Sequence, residues 1–114
     1  MQSQFRVDVR TEGHAAVIVV RGELDLASSP ALEEQLEQLR GSETKLLVID
    51  LRELEFMDST GLSIIVNAHQ RLAEDGRELS LVRGPQQVQR LLDLTGVAER
   101  LRLVDSPEEL LDGG

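Results

Sequence analysis

The stretch Leu46-Leu47-Val48-Ile49-Asp50-Leu51, followed by Phe56-Met57-Asp58-Ser59-Thr60-Gly61-Leu62, has the pattern of a strand that leads into a helix. Its first part begins with a continuous apolar run, Leu46 to Ile49, which is typical of a strand covered on both faces. Its second part joins the end of a loop predicted over residues 52–59 to the start of a helix. The helix is predicted because apolar residues then recur at helical spacing as far as Gly76. A buried strand that leads through a loop into an amphipathic helix is half of a βαβ unit, from which parallel sheets are built.

Upstream of this unit, the sequence predicts a hairpin and a further helix. Apolar and charged residues alternate over residues 5–10, which indicates an edge strand with one buried face. After a turn at residues 12–14, the apolar run 15–20 predicts a second and more deeply buried strand, and residues 22–25 are its predicted exit loop. A serine and a proline then open a helix over residues 29–41.

Downstream, a strand is predicted over residues 79–82, a helix over 86–94 and a last strand over 101–104. A capping-box pattern at 106–109 opens a short terminal helix. The resulting order, β-β-α-β-α-β-α-β-α, predicts one α/β domain, with a mostly parallel sheet, an N-terminal antiparallel hairpin strand and helices packed on the sheet. We expect this domain to span 1–114, with an ordered core of about 4–111 and a frayed C-terminal end at 112–114.

Composition excludes several function classes. The net charge of −9 argues against binding to the phosphate backbone of nucleic acids, and two aromatic residues, Phe5 and Phe56, are too few for a base-stacking platform. The absence of cysteine removes disulfides, thiol catalysis and cysteine zinc sites, and it fits a reducing cytoplasm. No stretch approaches the run of about 18 apolar residues that a membrane helix needs. We therefore expect a soluble cytoplasmic domain without a cofactor or membrane insertion.

Three predicted loops leave the carboxyl ends of strands, where the sites of parallel sheets form: residues 22–25, 52–59 and 83–85. In the second loop, Asp58 or Ser59 can cap the following helix. A phosphate on Ser59 would meet the helix N–H groups and the positive end of the helix dipole. Gly61 is expected to leave the backbone uncovered, so that an anion or a partner can approach it. On these residues alone, helix capping is the simpler interpretation.

Four segments together carry a family resemblance: Gly22-Glu23-Leu24-Asp25, Val48-Ile49-Asp50-Leu51, the stretch Phe56 to Leu62, and Leu91-Leu92-Asp93-Leu94-Thr95-Gly96-Val97. In order and spacing they resemble the STAS domain family, and in particular its bacterial anti-sigma factor antagonists. The resemblance implies that Ser59, the first hydroxyl residue after the aspartate, is phosphorylated by a partner kinase that is itself the anti-sigma factor. Thr60 is the less favoured acceptor.

The resemblance further implies a binding switch rather than an enzyme. The unphosphorylated chain would bind the anti-sigma factor and release the sigma factor, phosphorylation would end that binding, and a serine phosphatase would reset it. A phosphate adds about 1.5 to 2 negative charges, so we expect it to exclude the partner by bulk and charge with little refolding.

Carboxylates around the serine complete the predicted partner contact. The resemblance implies that the loop at 22–25 touches the partner, and this loop leaves a neighbouring strand at the same sheet edge as Ser59. The simpler alternative for its carboxylates is a solvated pair before a helix. The full set of predicted contact residues is Glu23, Asp25, Asp58, Ser59, Thr60 and Gly61.

Two alternatives remain open from the sequence, and a third, a hydrolase, is discarded. The same fold serves as a STAS subunit of a transporter or stress-signalling assembly, in which the serine need not be modified. A receiver-like chain would use Asp50 as phosphoacceptor beside the 22–25 carboxylates and Mg²⁺. It would also need a lysine at the exit of a later strand to neutralise the phosphate. Lys45, the only lysine, precedes its strand and so lies at the opposite end of the sheet. A hydrolase would need a base near Ser59, and His69 lies ten residues further along the helix, about 15 Å away. No catalytic residue and no metal ligand is therefore predicted.

Overall fold

A computed structural model of the chain describes residues 5–111. The expectations for residue 4 and for the fraying of residues 112–114 fall outside the described residues. The elements run in the order β1 (Arg6–Glu12), β2 (Ala15–Leu24), α1 (Ser29–Arg40), β3 (Leu46–Asp50), β4 (Leu54–Met57), α2 (Ser59–Glu74), β5 (Glu78–Val82), α3 (Gln86–Leu94), α4 (Val97–Arg100), β6 (Arg102–Val104) and α5 (Glu108–Leu111).

The sheet is mixed, with the strand order β1-β2-β3-β5-β6. β1 and β2 form an antiparallel hairpin at one edge, with Arg6 opposite Arg21. The pairs β2–β3, β3–β5 and β5–β6 are parallel. β4 lies off this path and pairs in parallel with the carboxyl-terminal end of β2. The predicted fold class, a mostly parallel sheet with an antiparallel N-terminal hairpin and packed helices, is confirmed.

Apolar residues on both faces of the sheet explain the continuous runs in β2 and β3. The larger core cluster, beneath α1 to α4, includes Ile18, Ile49 and Leu81. Alternate residues point to the opposite face and form a smaller cluster of Val17, Val48, Val82 and Val104. Leu110 and Leu111 of α5 pack against this smaller cluster. The second face is therefore buried under the terminal helix that the capping-box pattern predicted.

Two of the predicted loops are wrong in extent. The loop expected over 52–59 contains β4, and the exit loop expected over 22–25 is instead the end of β2, which continues to Leu24. The register between β2 and β4 shifts at Gly22, whose φ of +88° lies in the left-handed region that glycine tolerates. The sequence did not predict β4 because this strand is only four residues long. Its two inner residues are both exposed, so buried and exposed residues do not alternate along it.

One helix was also missed, and its length is the reason. α4 is a single turn that follows Gly96 directly, where the sequence predicted only the end of α3. A single turn is too short for a helical apolar period to appear. Across residues 5–111, no helix combines the length and the apolar character needed to cross a bilayer.

Candidate functional site

The start of α2 is held in place by Asp58, the residue immediately before it. One Asp58 carboxylate oxygen accepts hydrogen bonds from the backbone N–H groups of Thr60 and Gly61, at 2.9 and 3.1 Å. The Asp58 N–H donates to the carbonyl of Leu24 at 3.1 Å, so the helix start is tied to the end of β2. Of the two possible caps, the structure selects Asp58, and Ser59 becomes the first residue of the helix.

Ser59 is exposed, whereas Thr60 is half-buried. The carbonyl of Ser59 accepts a hydrogen bond from the Ser63 hydroxyl at 2.9 Å. Among residues 5–111, no hydrogen bond occupies the hydroxyl of Ser59 itself. The hydroxyl of Ser59 is therefore accessible from solvent.

A phosphate on Ser59 would find a different environment from the one predicted. Asp58 already takes the N–H groups of Thr60 and Gly61, so these two donors are not left to bind the phosphate. The new charge would instead lie beside the carboxylate of Asp58. The helix terminus favours negative charge, yet two adjacent anions repel each other. Phosphorylation therefore concentrates negative charge at one point of the surface.

The loop between β2 and α1 is fixed by Asp25 and Ser28. The Asp25 carboxylate accepts from the Ser28 N–H at 3.0 Å, and the Asp25 N–H donates to the Ser28 hydroxyl oxygen at 2.9 Å. The Ser28 hydroxyl in turn donates to the carbonyl of Glu23 at 2.7 Å. Asp25 is thus half-buried and shapes the loop, while the Glu23 side chain is exposed. The interpretation of Asp25 as a merely solvated carboxylate is wrong.

Strand pairing brings the two aspartates together. Leu24 and Met57 are register partners in β2 and β4, and Asp25 and Asp58 are the residues that follow them. Because the two strands are parallel, both chains leave the sheet at the same edge. Ser59 therefore emerges beside Asp25, with Asp58 between the serine and the end of the sheet.

Gly61 has a packing role that the sequence did not indicate. It is buried, and a Cβ atom built on it would lie 2.6 Å from Leu24 Cγ and 3.0 Å from Met57 Cγ. The expectation that its backbone is uncovered and open to a partner is therefore wrong. The missing side chain instead lets α2 close onto the ends of β2 and β4.

Replacing Gly61 with alanine is expected to lower the free energy of unfolding by about 1–3 kcal/mol, because fully buried Leu24 must move to admit the methyl group. Gly41→Ala is the matched control: its φ is −79° and the nearest atom to a new Cβ is 3.7 Å away. The control should change stability by less than about 1 kcal/mol. Urea denaturation of both variants measures the difference, and equal losses would contradict the packing role.

Two exposed apolar side chains lie at this edge, and sequence analysis did not predict them as site residues. Leu26 is 74% exposed directly after Asp25, and Phe56 is 47% exposed on β4, opposite Glu23. An apolar residue inside an otherwise polar loop was the available signal. The exposed and half-buried residues of this edge form what we call the serine surface: Glu23, Asp25, Leu26, Phe56, Asp58, Ser59 and Thr60.

Asp50 belongs to a different part of the molecule. Its carboxylate is 4% exposed and pairs with the guanidinium of Arg52, with Nη2 2.7 Å from Oδ2 and Nε 3.0 Å from Oδ1. The hydrogen bonds that the Arg52 guanidinium donates to Asp50 raise the pKa of Arg52 against the opposing effect of desolvation, and the negative charges of Asp50 and Glu108 raise it further. Asp50 shares a sheet face with its register partner Val82, away from α2.

The receiver-like hypothesis is therefore wrong, because Asp50 is buried, paired and directed away from the serine surface. Within residues 5–111, no cluster of three acidic or histidine side chains could hold a metal ion. The hydrolase alternative gains no support either, since His69 is half-buried in α2 ten residues beyond Ser59. What remains at the edge of the sheet is an exposed hydroxyl beside two carboxylates and two apolar side chains.

Comparisons with known proteins agree with this architecture. The STAS domain family model matches residues 6–110. The anti-sigma-B factor antagonist of Listeria monocytogenes is 34% identical over 110 residues, which cover 96% of each chain. The protein of the same name from Staphylococcus aureus is 28% identical over 104 residues, covering 91% of this chain and 96% of that one. A crystal structure of an anti-sigma factor antagonist from Mycobacterium paratuberculosis superposes with a TM-score of 0.87 at 26% identity, covering 96% of this chain and 93% of that one.

Proposed function

This chain belongs to the STAS domain family, and from that premise we propose that it acts as an anti-sigma factor antagonist controlled by phosphorylation of Ser59. In the unphosphorylated form it binds an anti-sigma factor in the cytoplasm and so releases a sigma factor. The anti-sigma factor is also a serine kinase, which phosphorylates Ser59 and then dissociates. A serine phosphatase restores the binding form.

The observation that carries this proposal is the position of Ser59. It is exposed at the first position of α2, at the same edge of the sheet as two exposed apolar side chains: Phe56 lies in β4, and Leu26 follows the end of β2 that pairs with β4. Apolar side chains at a polar rim are what a protein partner buries on binding. A partner that covers them comes into contact with the serine hydroxyl at the same time.

The chain's part in the phosphoryl transfer is to present the hydroxyl. The Ser59 oxygen attacks the γ-phosphorus of ATP held by the kinase, the bond to the ADP oxygen breaks, and the hydroxyl proton passes to a base of the kinase. Asp58 fixes the start of the helix, so the hydroxyl is presented from a rigid position. The product phosphate stands beside Asp58 and Asp25, and this charge pushes the partner away.

The test is a capture experiment with lysate of the source organism, using the wild-type chain beside Ser59→Asp. We expect the wild type alone to retain a kinase-type ATPase. Incubation of that complex with ATP should then place one phosphate on the chain, and mass spectrometry should locate it on Ser59. Ser59→Ala should abolish the phosphorylation, whereas Thr60→Ala should leave it intact.

A different result would overturn the proposal. If both the wild type and Ser59→Asp retain the same transporter or large signalling assembly, the chain acts as a constitutive subunit and Ser59 serves the helix alone. If the phosphate is found on Thr60, the switch exists but its residue is wrongly assigned.

A further inference from the structure

A second surface lies between α1 and α2, apart from the serine surface. It is a half-open groove of about 430 Å³. Both helices start at the same edge of the sheet and run in the same direction over it, and the groove follows their length. Its apolar lining comes from Leu36, Leu39, Leu47, Ile64, Ala68 and Leu72. This volume falls in the range of about 300–1,000 Å³ that is typical of ligand pockets.

The length of the groove suits a short helix. Its lining on α1 extends from Pro30 to Arg40, which is about 15 Å at 1.5 Å per residue, or roughly three helical turns. A helix that lies in a groove of this length contributes apolar anchors at i, i+3 or i+4, and i+7.

The charged residues at the rim of the groove determine which net charge an occupant should carry. Glu33, Glu34 and Glu37 line the groove from α1. The two arginines of the rim, Arg40 and Arg71, both approach Glu37, at 3.8 and 3.9 Å. Within residues 5–111, Glu33 and Glu34 form no ion pair, and the chain as a whole carries a net charge of −9. An occupant with positive charge is therefore complementary, and an acidic one is repelled.

We propose that this groove binds an amphipathic helix of a partner protein, with apolar residues directed between α1 and α2 and lysine or arginine residues against Glu33 and Glu34. The residues of the serine surface do not line the groove. A helix bound here leaves Ser59 accessible, so the chain has two docking surfaces that can be occupied together. This inference is independent of the proposed function.

The probe is a synthetic helix of about 14 residues, long enough to span the groove, composed of leucine at helical spacing and lysine elsewhere. A second peptide has glutamate in place of each lysine. Fluorescence anisotropy measures the affinity of both for the wild-type chain, and amide chemical shifts map the contact. We expect the lysine peptide to bind more tightly and to shift residues of α1 and α2 that line the groove. Tighter binding of the glutamate peptide, or shifts confined to other elements, would overturn the proposal.

Two double variants distinguish binding in the groove from general attraction of the lysine peptide to a negatively charged chain. Glu33→Gln with Glu34→Gln should weaken binding of the lysine peptide about fivefold, as expected for two exposed charge pairs. Asp93→Asn with Glu99→Gln is the matched control, because it removes two exposed carboxylates outside the groove. Equal losses in the two double variants would mean that only net charge attracts the peptide and would overturn the proposal.

Filling the groove provides a second criterion. Ala68 is half-buried on α2, and Ala68→Trp puts a large side chain into the groove. The affinity for the lysine peptide should fall by more than about tenfold, because the tryptophan side chain occupies the space that the leucine side chains of the peptide would fill. Unchanged binding by Ala68→Trp, with circular dichroism showing a folded chain, would overturn the proposal; if this variant unfolds, the shift map of the wild type decides.

Discussion

Ser59→Asp is expected to weaken binding of the anti-sigma factor by at least about a hundredfold, whereas Ser59→Ala should retain it within about threefold. The aspartate buries an unpaired charge where the partner covers the serine surface, and a buried carboxylate without a partner costs several kcal/mol. Alanine removes a hydroxyl that has no hydrogen-bond partner within the described chain, so little changes on its removal. Biolayer interferometry with the captured partner gives both affinities.

The fold should remain intact in both variants. Ser59 is exposed, and the first turn of a helix tolerates negative charge, so Ser59→Asp should change the free energy of unfolding by less than about 1 kcal/mol. Gln70→Glu is the matched control, since it adds one negative charge to an exposed position three turns along α2. It should bind the partner within about twofold of the wild type. Loss of binding by Ser59→Ala or by Gln70→Glu would contradict the local mechanism.

Sequence periodicity was sufficient for the elements with long-range apolar patterns. The continuous apolar runs of β2 and β3 predicted strands buried on both faces, and the structure places valines of both strands against α5. The bounds of α1 were predicted to within one residue, because the N-cap is Ser28 rather than Ser29 and the helix ends at Arg40, directly before Gly41. These patterns arise from the burial of whole faces, and such burial is visible in a single sequence.

Features that depend on tertiary pairing were not predictable in the same way. β4 is defined by its pairing with β2 after the register shift, and its burial pattern alone shows no period. The choice of Asp58 over Ser59 as helix cap depends on the hydrogen bond from Asp58 to Leu24, across that pairing. The packing role of Gly61 depends on the same two strands. At the serine surface the sequence therefore offered five of the seven residues as candidates and missed Leu26 and Phe56, and the arrangement of all seven required the fold.

The largest effect on stability is expected at the pair of Asp50 and Arg52. Removing one member of a buried ion pair typically costs about 3–5 kcal/mol, because the other charge is left without a partner. Since Arg52 is 48% exposed, water replaces part of the lost contact, and we expect Arg52→Ala to lower the free energy of unfolding by about 2–4 kcal/mol. Arg90→Ala is the control, as this exposed arginine forms no ion pair within residues 5–111, and it should cost less than about 0.5 kcal/mol.

A double variant isolates the cause of this loss. Asp50 is flanked in the sheet by Val19 and Val82, so a valine at position 50 suits its neighbours. Asp50 Oδ1 also accepts from the backbone N–H of residue 52 at 3.1 Å, a bond that Arg52→Ala keeps and Asp50→Val removes at a net cost of about 1 kcal/mol. Asp50→Val combined with Arg52→Ala should therefore restore stability to within about 1–2 kcal/mol of the wild type, because no buried charge remains. Urea denaturation of the single and double variants measures this coupling. If the double variant is less stable than Arg52→Ala alone, the carboxylate of Asp50 has a partner beyond Arg52, and the account of this face of the sheet is wrong. If it recovers, the carboxylate of Asp50 serves only to pair with Arg52 in the fold.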